Sequence, residues 1–234
     1  IQGKYREAYN SAHKSVEFLE KKSDAQREIQ TSTLAASIAR SCLDLQTAAD
    51  FLSGMASKHP EIEALVAEVP VPLLVDFYTL LAEISLENGE EVPAAQALNA
   101  VIKFASNKSS ILALQARLAY RNDNPRQAEQ ALALAVEKFR ESNSYDRRWS
   151  HRPQDVPLGI ALAAIDLENW EIAQDMLAEA DSDAKADPYI SLQKAKALVL
   201  QAEYKRLCES MDIMTHAPGE DAISESAYRQ FATI

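Results

Sequence analysis

The stretch with most chemistry to offer is Ser142 to Pro153, SNSYDRRWSHRP, where Arg147, Arg148 and Arg152 follow Arg140 and are interleaved with Tyr145, Trp149 and His151. An arginine fork holds a carboxylate or phosphate through two parallel hydrogen bonds, and Trp and Arg are favoured in binding hot spots. The expectation is a contact loop for an acidic peptide, a phosphate-bearing ligand or the rest of the parent chain. The alternative is a solvated loop whose arginines pair with the protein's own acids while Trp149 packs on a neighbour. Arg117, Tyr120, Arg121 and Lys196 form a second candidate set on helical faces, able to hold an acidic peptide or else to serve as solvated surface. Cys42 and Cys208 lie far apart within apolar helical patterns and are expected to be buried free thiols without a nucleophile's exposed turn.

Catalytic signatures are missing. Five glycines spread singly leave no phosphate-cradling loop, and no GxSxG, HExxH or paired-cysteine motif occurs. His13, His59, His151 and His216 show no metal-ligand spacing. No enzyme activity, cofactor or metal is therefore expected. Glu90-Glu91 and the Asp181/Asp183 pair read as solvated turns or helix caps.

The elements that must position these residues follow from composition. The chain has 234 residues, 47% hydrophobic, 25% charged and only 7% aromatic, with 39 alanines against 5 glycines and 9 prolines. Such small, unbranched apolar mass favours helix and points away from an all-β fold. A net charge of −11 repels a polyanionic backbone, so nucleic acid is not an expected partner. No apolar run of membrane-spanning length and no secretory leader pattern is visible, and the expected setting is cytoplasmic.

The alanines recur with a period. From Leu112 to Phe139 the sequence reads as a helix with Leu112, Ala116 and Ala119 on one face, a polar break at Asn122-Asp123-Asn124, and a second helix opened by Pro125 with Ala128, Leu132 and Ala135 at steps of four and three. The second-helix pattern returns at Ala94, Leu98 and Val101 after Asn88-Gly89, at Ala173, Leu177 and Ala180 after Glu168-Asn169-Trp170, and at Leu207, Met211 and Met214 after Ala202-Glu203-Tyr204. Ala48, Leu52 and Met55 carry it towards the N-terminus, with Ala36 and Ala39 on the preceding helix, and Gly3-Lys4-Tyr5-Arg6-Glu7-Ala8 starts a partial unit. From Ala8 through Ala48, Ala94, Ala128 and Ala173 to Leu207 the intervals are 40, 46, 34, 45 and 34 residues. An ordinary bundle has no reason to repeat this way.

Two intervals of 34, with small residues where paired helices must approach, resemble the tetratricopeptide repeat superfamily. The glycine-x-tyrosine of that pattern stands at Gly3 and Tyr5 and its aromatic at Trp170 and Tyr204, while the first-helix Trp and Leu-Gly are mostly replaced. The units are residues 1–22 (partial), 29–60, 75–108, 109–142, 154–187 and 188–214. The resemblance implies an all-α, right-handed α-solenoid of stacked antiparallel helix pairs whose concave face is lined by the first helices. Asp76, Thr79, Glu83, Glu87, Ala113, Arg117, Tyr120, Arg121, Leu158, Leu162, Asp166, Tyr189, Leu192, Lys196 and Leu200 are expected to project there.

The longer intervals reflect insertions. Glu61 to Pro72 is expected to add a helical turn before Val69-Pro70-Val71-Pro72, mainly for structure. Residues 215–234 read as a capping helix or the first helix of a further unit, and the Ile1 start suggests a piece of a longer chain. The expected function is a non-catalytic scaffold or interaction module that binds a protein or peptide, which could be acidic or another domain of the parent chain. The other reading is a regulatory sensor region of a multidomain signalling protein.

Overall fold

A computed structural model describes residues 7, 8, 10, 11, 14, 15, 24–59, 62–141, 154–184 and 187–215. Arg147, Arg148, Trp149 and Arg152, most of the partial first unit and residues 216–234 lie outside the described residues. The chain divides into two compact units, residues 1–197 and 198–234.

The described residues form ten α-helices and no strand. These are α1 Ala25–Ser41, α2 Leu45–Lys58, α3 Ile62–Glu68, α4 Val71–Glu87, α5 Glu91–Ala105, α6 Ser109–Arg121, α7 Pro125–Glu141, α8 Asp155–Asp166, α9 Trp170–Ala184 and α10 Pro188–Thr215. Neighbours in sequence pack as pairs, α1 on α2, α4 on α5, α6 on α7 and α8 on α9, and the first helices of successive pairs also touch. The protein is thus all-α and built of stacked helix pairs.

The repeat reaches down to individual backbone bonds. Within each pair the first helix ends on a left-handed residue, Leu43, Gly89, Asp123 or Glu168, with φ of 65°, 78°, 54° and 56°. The next residue sends its N–H back five positions: Asp44 to Ala39 O (2.9 Å), Glu90 to Ser85 O (2.8 Å), Asn124 to Ala119 O (2.9 Å) and Asn169 to Ala164 O (2.8 Å). The left-handed residue itself donates to the carbonyl three positions back, completing a Schellman motif that satisfies the last carbonyls of the helix. The same donor residue also starts the next helix: Asp44, Asn124 and Asn169 accept backbone N–H bonds from Thr47, Gln127 and Ile172. One residue therefore closes one helix and opens its partner, which sets a tight antiparallel hairpin.

Small residues stand where the pairs meet. Ala48, Ala94, Ala128 and Ala173 are wholly buried, as are Ala36, Ala39, Ala82, Ala116, Ala161 and Ala164 on the first helices. A side chain of one carbon lets backbones approach and leaves larger neighbours such as Leu52, Phe77, Ile84 and Leu177 to fill the core. In α8 every residue from Pro157 to Ile165 is buried, the mark of a helix enclosed on all sides. The inserted α3 tucks Ile62 and Leu65 inward, and Val69 just after it is also buried.

Several expectations are corrected. The hairpin expected within 188–214 does not form, because α10 runs unbroken through Ala202-Glu203-Tyr204. That stretch holds good helix formers and lacks the Asn, Asp or Gly that ends the other first helices. Leu207, expected to face a partner helix, is instead 47% exposed, and Ala8 is only half-buried. The thiols are not buried either: Cys42 is half-buried at the cap of α1 and Cys208 is exposed on α10. No helix among the described residues is long and apolar enough to cross a membrane.

Candidate functional site

Most of the residues expected to line an open concave surface fall instead in a buried ionic cluster or in one of two cavities. Glu83, Arg117, Ala113 and Leu158 are all at most 3% exposed, so these positions face other helices and not a groove. The organiser is Arg40 in the last turn of α1, 1% exposed. Its Nη1 donates to Glu83 Oε2 of α4 at 2.7 Å and its Nη2 to Asp155 Oδ1 of α8 at 3.0 Å. Its guanidinium lies 5.2 Å from the ring centre of Tyr189 in α10, within cation–π range. Tyr189 in turn donates its hydroxyl to Glu87 Oε2, while Ser41 Oγ donates to Asp187 Oδ2 at 2.7 Å. Asp187 also receives the N–H groups of Tyr189 and Ile190, which caps α10.

Burial penalises the charged forms of Arg40, Glu83 and Tyr189. For Arg40 the neighbouring Asp155, Glu83, Glu87 and Tyr189 outweigh that penalty and hold its pKa above the ordinary arginine value. Burial pushes the Glu83 carboxyl up to about 7, with Arg40 pulling it back and Asp155 adding to the rise. The Tyr189 phenol is driven far above its usual value by burial and by Glu87. Gly159 of α8 makes the close approach feasible, since an added Cβ would sit 2.7 Å from Glu83 Oε1. Gly159→Ala is expected to cost about 1–3 kcal/mol through overpacking against a pinned carboxylate, offset by about 1 kcal/mol of helix propensity, and urea denaturation reads the net loss.

One cavity, of about 220 Å³, opens beside this cluster. Arg117 and Arg121 of α6 and Lys196 of α10 line it together with Glu87, Asp166 and Gln193, and Leu162, Ile165 and Leu192 supply an apolar wall. Arg117 donates Nε to Asp166 Oδ2 at 2.8 Å. Burial works against its charge, and Asp166, Glu87 and Glu83 more than offset this, raising its pKa. Its Nη1, however, is buried with no hydrogen-bond partner, as are Glu87 Oε1 and Gln193 Oε1. Arg121 sits 3.9 Å from Glu91, a weak surface contact. Three of the sequence candidates, Arg117, Arg121 and Lys196, thus share one cavity, whereas Tyr120 is 39% exposed and does not line it.

A second cavity, of about 240 Å³, lies between α1, α4, α6 and α8 and is lined by Asp76, Thr79, Glu83 and Asp155 among others. Among the described residues no group of three or more His, Cys, Asp or Glu is placed to hold a metal ion.

Arg40, Ser41, Asp155 and Asp187 went unnoticed in the sequence. A signal existed: Arg40 falls within AASIARS, a run of small and apolar residues that offers a charge little polar surface, and eight other residues of α1 are buried with it. An arginine in such a run must find carboxylates elsewhere in the chain.

No family model matches this chain, and no curated protein matches it. Among solved structures it is similar to a tetratricopeptide repeat protein from Parabacteroides merdae ATCC 43184, at 16% identity and a TM-score of 0.39, over 91% of this chain and 81% of that one.

Proposed function

We propose that this chain is a non-catalytic interaction module of the tetratricopeptide type, and that the cavity of Arg117, Arg121 and Lys196 receives a carboxylate of a protein or peptide partner. The observation that carries this reading is the unpaired Nη1 of Arg117, a residue only 3% exposed that lines the cavity. A buried donor without an acceptor is costly, and a carboxylate entering the cavity would satisfy it by a charge-assisted bond. Arg121 and the exposed Lys196 extend the positive rim, and Leu162, Ile165 and Leu192 offer a surface to an apolar side chain next to that carboxylate. The basic segment 142–153, with Arg147, Arg148, Trp149 and Arg152, is proposed as a second contact for an acidic partner.

A peptide array bearing acidic sequences with free C-terminal carboxylates, probed at low salt, tests both parts. Arg121→Ala/Lys196→Ala protein is expected to lose about tenfold or more of its affinity, as for removal of charge-assisted bonds. Arg147→Ala/Arg148→Ala protein is expected to lose a further, salt-sensitive part. Equal signals from wild-type and Arg121→Ala/Lys196→Ala protein would remove the cavity from the reading.

A further inference from the structure

The cavity between α1, α4, α6 and α8 has the opposite character. Asp76, Thr79 and Glu83 stand three and four residues apart on α4 and so form one stripe, which faces Asp155 of α8 across the cavity. Arg40 is engaged with Glu83 and Asp155. Among the described residues Asp76 makes no hydrogen bond or ion pair, and burial, with Asp155 adding to it and Lys108 opposing, pushes its carboxyl up to about 7. An independent observation points to a ligand: Thr79, which lines the cavity, is 92% buried, and its Oγ1 has no hydrogen-bond partner among the described residues. Leu34, Leu80 and Val156 supply apolar wall beside these polar atoms.

We propose that this cavity binds a primary alkylammonium group, its N–H bonds directed to the Asp76 carboxylate and Thr79 Oγ1 and its hydrocarbon chain lying against Leu34, Leu80 and Val156. A cation with several donors offsets the buried negative charge and satisfies the orphaned hydroxyl at once, which a neutral or anionic guest does not. The site is separate from the carboxylate cavity and is independent of the function proposed for it. The ammonium belongs either to a free aliphatic amine or to a lysine side chain of a polypeptide, and these sources are distinguishable.

Isothermal titration of the full chain with n-butylamine, 1,5-diaminopentane and Nα-acetyl-lysine-methylamide, each against its N-acetylated counterpart, provides the test. Saturable binding of the amines, loss of binding on acetylation, and a drop of about tenfold or more in Asp76→Asn and in Thr79→Val are expected. Asp76→Asn removes a buried charge and keeps the fold, and Arg121→Ala/Lys196→Ala serves as a control in which amine affinity is unchanged. Preference for the diamine assigns a free amine, and preference for the capped lysine assigns a side chain. No saturable binding of any of the three, or equal binding by wild-type and Asp76→Asn protein, overturns the proposal.

Discussion

Arg40→Met is expected to destabilise the protein by about 3–5 kcal/mol, the usual cost of removing one partner from a buried ion pair. The arginine is 1% exposed and holds Glu83, itself 2% exposed, at 2.7 Å and Asp155 at 3.0 Å, so its loss strands the Glu83 carboxylate away from solvent. It also removes the cation beneath the Tyr189 ring. The comparison that isolates the electrostatic part is Arg40→Met/Glu83→Leu. Replacing both buried partners by apolar groups of similar volume is often neutral, so the double variant should regain most of the loss, while Asp155, 24% exposed in its side chain, turns to water. Guanidinium denaturation of wild type, single and double variants measures the coupling. If the single variant unfolds within about 1 kcal/mol of wild type, Arg40 does not hold these helices together.

The second large effect is on pH. Asp76 ionises near 3.8 in an unfolded chain but near 7 in the fold. Between those values the folded state binds the proton more tightly, so this group's contribution is fully present below about pH 4, is lost as pH rises, and is gone above about pH 7. At about 1.4 kcal/mol per pKa unit the difference amounts to about 4 kcal/mol, and access of water through the cavity halves it to about 2. Asp76→Asn abolishes the titration. The variant should therefore match wild type near pH 4 and exceed it by about 2 kcal/mol at pH 8, with the difference growing through the interval. A difference that does not change with pH would show that Asp76 ionises as an ordinary carboxylate. Glu83 acts in the same direction and is common to both proteins, so the comparison cancels it.

These two effects originate in contacts that differ sharply in how well the sequence foretells them. The turn at Asn122-Asp123-Asn124 is written locally: a residue tolerant of left-handed φ is followed by one able to cap the next helix, and Pro125 opens that helix. The turn at Cys42-Leu43-Asp44 obeys the same geometry with leucine in the left-handed position, and the signal there is Asp44 alone. At Ala202-Glu203-Tyr204 the period called for a turn, but local chemistry has no residue to make one and the helix continues. Local propensity prevails there.

By itself the sequence determined the elements: the 3.6-residue period, the small residues Ala48, Ala94, Ala128 and Ala173, and the turn chemistry are all short-range and read directly as stacked helix pairs. It also placed Arg117, Arg121 and Lys196 among the residues worth watching, without revealing that they share a cavity. Only the tertiary structure decided that the first helices converge so closely that Arg40 reaches Glu83 43 positions away and Asp155 115 away, and that Ser41 reaches Asp187 146 away. The reason is physical. A helical pattern says which face turns inward, but which charges meet there depends on the small rotation from one pair to the next, a sum over many packed side chains that no local residue encodes.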